Sequence, residues 1–524
     1  MESKFMSGMA FAILAGVGVA VPTMTMAAAS PRRLSWTYAG EAFEGPAGWT
    51  WTETSSEPIL SGPGAADRVF FGGTAVDKTV RFNVDAVVSN FIVEATAIGG
   101  TTFDLASHTL TVSNNICLAC AGTLKAGDGT PFGIPRLTFR DGTINVVGTA
   151  SGTSAYGQPN EDASGFFLNR AYSGKVGINV CFARVALEVV SSPNQPRVRL
   201  QMGDGKTSRI HLKDGVSWAL PSFNVVNDVS DPLEICVEDS TFKATGVVSI
   251  DGNGACRWLF TEGAALQVGG VYSRERTAGD RLSFVFDGGR HTLGYTQDWG
   301  DNGSCSLSYT DFVVSNGAEV VAQSTLSIRS ASTITVCDGA SLSTPETAKI
   351  GHQAYQDKYF GDSALVVDGG TASFGSLEIG SFARYSNNCV RVVGPASRVE
   401  AAGTAAFNYG ATVAFEIPTE GWHDADGAAR APVQAKRFTT RTAEGCRPVA
   451  LELKTKAFDV ARPKASVTLL QAEDANSEEA FAALRANVVW TDNPADHGEL
   501  SVSADGRALV YTAPARRGLV VTVR

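Results

Sequence analysis

One phrase recurs through the second half of this chain: an apolar strand, a turn on Asp-Gly or a near equivalent, and a second strand. It occurs as SFVFDGG ending at Gly289, VVSNGAEV at 313–320, ITVCDGASL at 334–342, LVVDGGTASFGSLEIG at 365–380 and VRVVGPASRVEA at 390–401. Self-similarity on this scale indicates one supersecondary unit copied along an axis. The repeat therefore predicts a solenoid, and we expect its exposed faces to carry the function.

The turn residues set the period of the repeat. Taking Asp287, Asn316, Asp338, Asp368 and Gly394 as equivalent points gives intervals of 29, 22, 30 and 26 residues. Three short strands with their connections need about this length, which is one rung of a parallel β-helix. An antiparallel sandwich has the same apolar alternation, but the intervals are too short for whole sandwich domains. The consensus of a leucine-rich or propeller repeat is absent.

The composition agrees with an all-β chain and argues against one class of partner. There are 55 glycines, which supply turns, and only 18% of the residues are charged. The formal net charge is −10 and no basic run occurs, so a nucleic-acid partner is not expected.

The first residues have the pattern of a secretory signal peptide. Residues 1–29 contain a Lys near the start, an apolar run from about Met9 to Val21, and small residues at Ala27 and Ala29. No later stretch reaches the roughly 20 apolar residues of a spanning helix. We expect an exported protein, extracellular or on the cell surface, with no transmembrane span after signal removal.

Three regions follow the signal peptide. Residues 30–100 are interpreted as an N-terminal cap with the first strands, 101–418 as the β-helix repeats, and 419–524 as a small mixed C-terminal cap. A solenoid needs such caps because the open ends of its core are otherwise exposed.

Both predicted caps contain a recognisable local pattern. In the N-terminal cap, Trp36, Trp49 and Trp51 favour core packing over a sugar-stacking platform, since large aromatics stabilise mainly by burial. In the C-terminal cap, NSEEAFAALRANVVW at 476–490 contains the one convincing helical stretch, with Phe481, Leu484 and Ala483 on one face. Asp505-Gly506 then predicts the turn of a hairpin.

The cysteines favour a structural role. The nine are Cys117, Cys120, Cys181, Cys236, Cys256, Cys305, Cys337, Cys389 and Cys446. The single CxxC pair at Cys117 and Cys120 has no second pair, and residues three apart on a strand face opposite sides. We expect buried small side chains at most of these positions and no metal or redox site.

Several segments resemble passenger-type regions of exported bacterial β-helix proteins, in particular those with autotransporter-associated strand repeats. The resemblance rests on WTW, GPGAADRVFF, FDLASHTLTVSNN, VDGGTASFGSLEIG, VVGPASRVEAAG, SVTLLQAED and ELSVSADGRALVYT, and it covers most of residues 36–515. It implies a right-handed parallel β-helix and an adhesin-like or structural protein of the bacterial cell surface.

β-Helix proteins also include polysaccharide lyases and glycoside hydrolases, so paired carboxylates were sought. The best candidates lie in GYTQDWGDNGS, with Asp298 and Asp301 as catalytic carboxylates and Tyr295 and Trp299 as rings for carbohydrate binding. The simpler interpretation is a corner loop whose carboxylates cap their own turn, and we favour it.

No other pattern predicts a catalytic or metal site. The acidic cluster of Asp228, Asp231, Glu234, Glu238 and Asp239 lacks a calcium-loop motif, and the six histidines, His291 and His352 included, lack metal spacing. We therefore expect no cofactor and no metal. The predicted function is non-enzymatic: an adhesin-like or structural β-helix that presents a repetitive surface to a cell-surface, matrix or polysaccharide ligand. The alternatives are a polysaccharide-active enzyme and a carbohydrate-binding module.

Overall fold

The structure is a computed structural model, and most of the residues it describes are in strands. These residues are 32–37, 42–51, 59, 61–72, 77–94, 100–120, 136–147, 165–168, 179–189, 197–201, 208–220, 223–226, 233–251, 254–261, 263–273, 281–294, 305–329, 331–337, 339–351, 362–380, 387–424, 426–442, 445–492 and 497–515. Among them, no helix is long and apolar enough to cross a membrane.

The strands are short and follow one another closely. In chain order they are β1 Arg33–Trp36, β2 Trp49–Trp51, β3 Arg68–Phe71, β4 Lys78–Arg81, β5 Ala86–Glu94, β6 Gly100–Asp104, β7 Thr109–Cys120, β8 Arg136–Val146, β9 Gly165–Leu168, β10 Asn179–Val189, β11 Arg197–Gln201, β12 Ser208–Lys213, β13 Ser217–Leu220, β14 Phe223–Val226, β15 Leu233–Val237, β16 Thr241–Asp251, β17 Cys256–Phe260, β18 Ala265–Ser273, β19 Leu282–Asp287, β20 Arg290–Leu293, β21 Cys305–Leu307, β22 Thr310–Ser315, β23 Glu319–Ala322, β24 Leu326–Ile328, β25 Thr333–Cys337, β26 Ser341–Ile350, β27 Ala364–Asp368, β28 Thr371–Ile379, β29 Cys389–Val393, β30 Arg398–Asn408, β31 Thr412–Glu416, β32 Val433–Arg441, β33 Ala450–Lys454, β34 Ser466–Ala472, β35 Val488–Trp490, β36 Glu499–Val502 and β37 Ala508–Thr512. The helices are a 3-10 turn at Pro46–Gly48, α1 Lys456–Ala461 and α2 Glu478–Ala486.

Except for β2, β36 and β37, which pair antiparallel, the register divides these strands among three parallel sheets, here called A, B and C. Each rung contributes one segment to each sheet, and a long strand contributes to two. In one rung, β27 lies in sheet A, residues 371–374 in sheet B and residues 376–379 in sheet C, after which β29 returns to sheet A. The predicted all-β parallel β-helix is therefore confirmed.

The Asp-Gly phrase forms the corner between sheets A and B. Residues at this corner have positive φ, among them Asp214 at 60°, Asp239 at 43°, Asn316 at 51° and Gly369 at 79°. Glycine adopts this left-handed conformation freely, and Asn and Asp tolerate it better than other side chains. The left-handed backbone conformation at the corner therefore favours Gly, Asn and Asp, which explains why these residues recur there.

The register also tests the predicted period. Asp287 pairs with Ser315, Val314 with Val336, Cys337 with Asp368, and Asp368 with Val393, which are steps of 28, 22, 31 and 25 residues. Each step is within one residue of the predicted interval. The variable lengths arise in the connections, because the paired strand segments remain in register.

The core is a continuous column of inward side chains. Aromatic rings from neighbouring rungs stack on one another inside it; Phe139 and Phe182, for example, are 5.3 Å apart with planes 15° from parallel. Trp218 and Trp258 are fully buried in the same column. Alternating strand residues thus bury one face and expose the other along every sheet.

The two ends of the column are covered differently. At the first rung, β2 pairs antiparallel with β1, and Trp36, Phe43 and Trp49 pack together, with Trp36 and Trp49 4.8 Å apart. At the last rungs, α2 places buried Phe481 against Phe438 of β32, at 5.5 Å between ring centroids. The sequence predicted only one helix in this region, and the short helix α1 was not predicted.

A hairpin completes the C-terminal end. β36 and β37 pair antiparallel around Asp505-Gly506, where the sequence predicted a turn, and β37 continues onto β34. Ser477 is the N-cap residue of α2, but its hydroxyl accepts a 3.0 Å hydrogen bond from the Phe438 amide of β32 and makes no side-chain cap within the helix. Ser477 therefore joins the helix to the last rung.

Candidate functional site

The residues proposed for catalysis and sugar stacking lie outside the described residues. Tyr295, Asp298, Trp299 and Asp301 all fall between the end of β20 and the start of β21. The predictions made for them remain predictions.

Those members of the acidic cluster that the structure describes are engaged by neighbouring rungs. Glu234 accepts a 2.9 Å hydrogen bond from Arg209, and Glu238 lies 3.0 Å from the His211 ring. Burial opposes ionisation of Glu234, but hydrogen bonds from Arg209 and Cys236 hold its pKa below the usual range. Asp239 is a corner residue with positive φ. Asp228 and Asp231 lie outside the described residues.

The cysteines of the described rungs are poorly suited to nucleophilic chemistry. Cys117 is disulfide-bonded, whereas the other cysteines for which the structure gives a state are not in a disulfide. Burial raises the thiol pKa of Cys236, Cys305 and Cys389 to about 11. A protonated thiol is a weak nucleophile and a poor metal ligand. Within the described part of the chain, no three His, Cys, Asp or Glu side chains are arranged to hold a metal ion.

The tryptophans of the N-terminal cap lie inside the protein. Trp36 is 4% exposed and Trp49 is 5% exposed. Neither ring is available to a sugar, as core packing predicted. The side chain of Trp51 is outside the described set.

A charged cleft lies on the outer face of sheet B near the C-terminal end of the column. Its volume is about 490 Å³, and it is lined by Arg398, Glu400, Asp424, Asp426 and Gln434. Glu400 and Gln434 are register partners on β30 and β32. We refer to these five residues as the charged cleft.

One wall of the cleft comes from a long connection between sheets A and B. In the preceding rungs two to four residues make this corner, as at Gly288 and Gly289, but β31 and β32 are joined by residues 417–432. This insertion folds back as a small hairpin, with an antiparallel bridge between His423 and Ala429. The hairpin carries Asp424 and Asp426 to the outer face of sheet B.

Two buried side chains hold the insertion against the column. Trp422 is 1% exposed, donates from Nε1 to the Gly394 carbonyl at 3.0 Å, and packs edge-to-face on Phe415. The Arg430 side chain is 5% exposed and donates to the carbonyls of His423, Ala396 and Ser397. These contacts make the wall a rigid part of the fold.

The charges in the cleft are paired in a chain. Arg398 Nε lies 3.3 Å from Glu400 Oε1, and Arg398 Nη2 donates to Asp424 Oδ1. Arg430 Nε approaches the same Asp424 oxygen at 3.2 Å. Burial, together with the nearby charge of Arg398, lowers the pKa of Arg430. Asp424 is thus fixed between two guanidinium groups, and the remaining lone pairs of the carboxylates can accept further hydrogen bonds.

Two rows of outward side chains run along sheet B into the cleft. The first contains Arg290, Glu319, Ser341, Thr371 and Arg398, each in register with the next. The second contains Thr292, Val321, Ser343, Ser373, Glu400 and Gln434. Except for exposed Arg290, all of these side chains are half-buried. We call the two rows the sheet B track.

No short pattern in the sequence indicates the cleft. Arg398 and Asp424 are 26 residues apart, and only the stacking of rungs brings them together. The available signal was the unusual length of the segment between the β31 and β32 patterns.

The fold assigns the protein to the parallel β-helix solenoids. No known protein family, curated protein or solved structure matches the chain.

Proposed function

We propose that this is an exported β-helix protein that acts at the cell surface or outside the cell by binding through its outer faces, without catalysis. Its role would be adhesin-like or structural. The observation that carries the proposal is the in-register rung, because stacking places equivalent outward side chains in rows about 4.8 Å apart. Such rows offer a repetitive ligand many similar contacts.

The proposal also accounts for the charges on the outside of the column. Arginines commonly pair with an acid on another rung, as Arg281 does with Asp311 at 2.6 Å and Arg184 with Asp141 at 2.6 Å. Exposed pairs of this kind contribute little stability, about 0–1 kcal/mol each. They do leave many of the outer charges paired, which suits specific hydrogen bonding more than general charge attraction.

A second candidate function is polysaccharide binding or cleavage. It is favoured by one observation, the presence of Glu400, Asp424 and Asp426 in a single surface cleft. Glycoside cleavage requires a proton donor as well as a second carboxylate. Glu400 and Asp424 both contact Arg398, so each already accepts a hydrogen bond or an ion pair within the protein, and neither stands apart as a proton donor. Binding is therefore better supported than cleavage.

Two measurements test the proposal. Export predicts that mature protein recovered from the culture medium or cell surface begins at about Ser30, as N-terminal sequencing would show. For function, the purified protein is incubated with plant, host and bacterial polysaccharides and assayed for both retention and products. We expect retention without new reducing ends or unsaturated sugars. Product formation that disappears in the Asp298→Asn and Asp301→Asn double variant would replace this proposal with an enzyme.

A further inference from the structure

The charged cleft has a construction that the column itself does not require. Two glycines connect sheets A and B at Gly369 and Gly370, so residues 417–432 are unnecessary for making a corner. The insertion instead buries an arginine, which is costly unless its hydrogen bonds are satisfied. Within the described structure, Arg430 Nη1 has no hydrogen-bond partner. An insertion that is anchored by a buried arginine and lies on an exposed face is typical of a segment that forms the wall of a binding site.

The lining of the cleft indicates the chemistry of its ligand. Pockets for apolar molecules are lined mainly by hydrophobic side chains, whereas here all five residues are polar or charged. The ligand must therefore be hydrophilic.

The pairing of charges in the cleft favours a neutral ligand over an ionic one. Arg398 is shared between Glu400 and Asp424, and Arg430 adds a second positive charge beside Asp424. No group of three ligands arranged for a metal ion occurs among the described residues. An anion would be repelled by the three carboxylates, and a cation would have to compete with Arg398 and Arg430 for Glu400 and Asp424. A ligand with paired hydroxyl groups fits best. The carboxylates accept hydrogen bonds from the hydroxyl groups, and the arginine guanidinium and the glutamine amide donate hydrogen bonds to them.

The sheet B track extends this surface along the column. Ser343 and Ser373 precede Glu400 in one row, and Ser341 and Thr371 precede Arg398 in the other. The Ser373 hydroxyl lies 3.5 Å from Glu400 Oε2, so the track reaches the cleft without interruption. A linear ligand with hydroxyl groups at regular spacing could contact successive rungs.

We propose that the charged cleft and the adjoining sheet B track bind a neutral linear polysaccharide, with the end of the bound segment held between Arg398, Glu400 and Asp424. This inference rests on the proposed role in surface contact and names the ligand class and the site. The track supplies hydroxyl donors and acceptors along the chain of sugars. The cleft supplies charged hydrogen bonds, which are stronger than neutral ones.

The test is calorimetric titration of the mature protein with neutral hexasaccharides of glucose, xylose, mannose and galactose. Glu400→Gln and Gln434→Ala are expected to weaken binding about tenfold or more, because each removes a hydrogen bond to the ligand. Ser373→Trp should block the track and have a similar or larger effect. The matched control is Val366→Trp, which places the same ring on the outer face of sheet A in the same rung as Ser373. Its affinity should equal that of the unmodified protein.

A second control uses the other surface cavity of similar volume. That cavity, about 490 Å³, is lined in part by Asp141, Arg184 and Asp214 at a corner far from the cleft. Asp214→Asn should leave saccharide affinity unchanged. Thermal melts of every variant establish that each is folded before its affinity is compared.

The outcomes separate this inference from the proposed function. Equal binding by all variants, or loss in Val366→Trp alone, overturns the assignment of the site. Failure to bind any hexasaccharide, or binding of Ca²⁺ or a hexalysine peptide that Glu400→Gln abolishes, overturns the ligand class. In either case, retention on cells or matrix by the unmodified protein would still support surface contact. Loss of retention on every surface would overturn the proposed function itself.

Discussion

Stacking of aromatic rings between rungs makes a quantitative prediction about neighbouring positions. Phe260 and Phe286 are register partners in sheet A, both fully buried, with ring centroids 5.1 Å apart and planes within 5° of parallel. Replacing either with Leu removes about three buried carbon atoms, which at ~0.8 kcal/mol each lowers the free energy of unfolding by about 2 kcal/mol. The direct ring contact adds a coupling of about 0.5–1.5 kcal/mol that only the pair contains.

The assay is a double-mutant cycle of urea unfolding, followed by circular dichroism. The effects of Phe260→Leu and Phe286→Leu on the free energy of unfolding should depart from additivity by about 0.5–1.5 kcal/mol, the coupling from the ring contact. The control cycle pairs Phe286→Leu with Phe407→Leu, because Phe407 lies four rungs further along the column. That cycle should be additive to within about 0.5 kcal/mol. Equal coupling in the two cycles, or none between Phe260 and Phe286, would refute rung-to-rung stacking at this position.

Three further predictions concern single residues. Asn316 has φ of 51°, so Asn316→Gly should change stability by less than about 0.5 kcal/mol whereas Asn316→Val should cost about 1–2 kcal/mol in urea unfolding. Burial lowers the pKa of His291, which hydrogen-bonds to the Gly288 carbonyl at 2.9 Å. As the pH decreases, His291 is therefore protonated in the unfolded chain before it is protonated in the folded protein. Its contribution to the free energy of unfolding should be fully present above about pH 6.5 and should be lost as the pH decreases, by at most about 1.4 kcal/mol per pH unit. His291→Leu should remove that component from urea midpoints measured between pH 5 and 7.5, and an unchanged pH profile would contradict it. Burial and a 2.6 Å hydrogen bond to Asp459 raise the pKa of Tyr511 to about 12. Tyr511→Phe should lower the free energy of unfolding by about 1–3 kcal/mol. It should also remove one tyrosine that ionises near pH 12 from the ultraviolet titration. If the tyrosine that is lost ionises near pH 10 instead, the hydrogen bond between Tyr511 and Asp459 is absent.

The repeat was predictable because its cause is local. Each corner between sheets A and B needs a residue with positive φ, so Asn316 and Gly369 mark their rungs whatever the rest of the chain does. The strands between corners alternate apolar and polar residues for the same local reason. Period and fold class therefore followed from short windows of sequence.

The charged cleft was not predictable in this way. Its members are contributed by β30, β32 and the insertion, and their contacts depend on a register that no short window contains. The predicted repeats end at residue 418, and this boundary marks a departure from the repeat. Its cause, a hairpin anchored by Trp422 and Arg430 across the corner, became visible only in three dimensions.

Helix α1 was missed for a different reason. It spans six residues, Lys456–Ala461, less than two turns, so it shows no helical periodicity. Within it, Asp459 accepts hydrogen bonds from Thr455 at 2.7 Å and from Tyr511 at 2.6 Å. The tertiary hydrogen bond from Tyr511 of β37, together with the one from Thr455, holds this helix more than local propensity does.

We propose that the protein binds a polymer through its outer face and leaves the polymer intact. The most direct measurement is light scattering of a neutral polysaccharide that the protein retains, recorded before and after prolonged incubation and removal of the protein. Binding without catalysis predicts saturable retention, weakened by Ser373→Trp but not by Val366→Trp, and an unchanged polymer mass. A decrease in polymer mass that depends on the protein would contradict the claim.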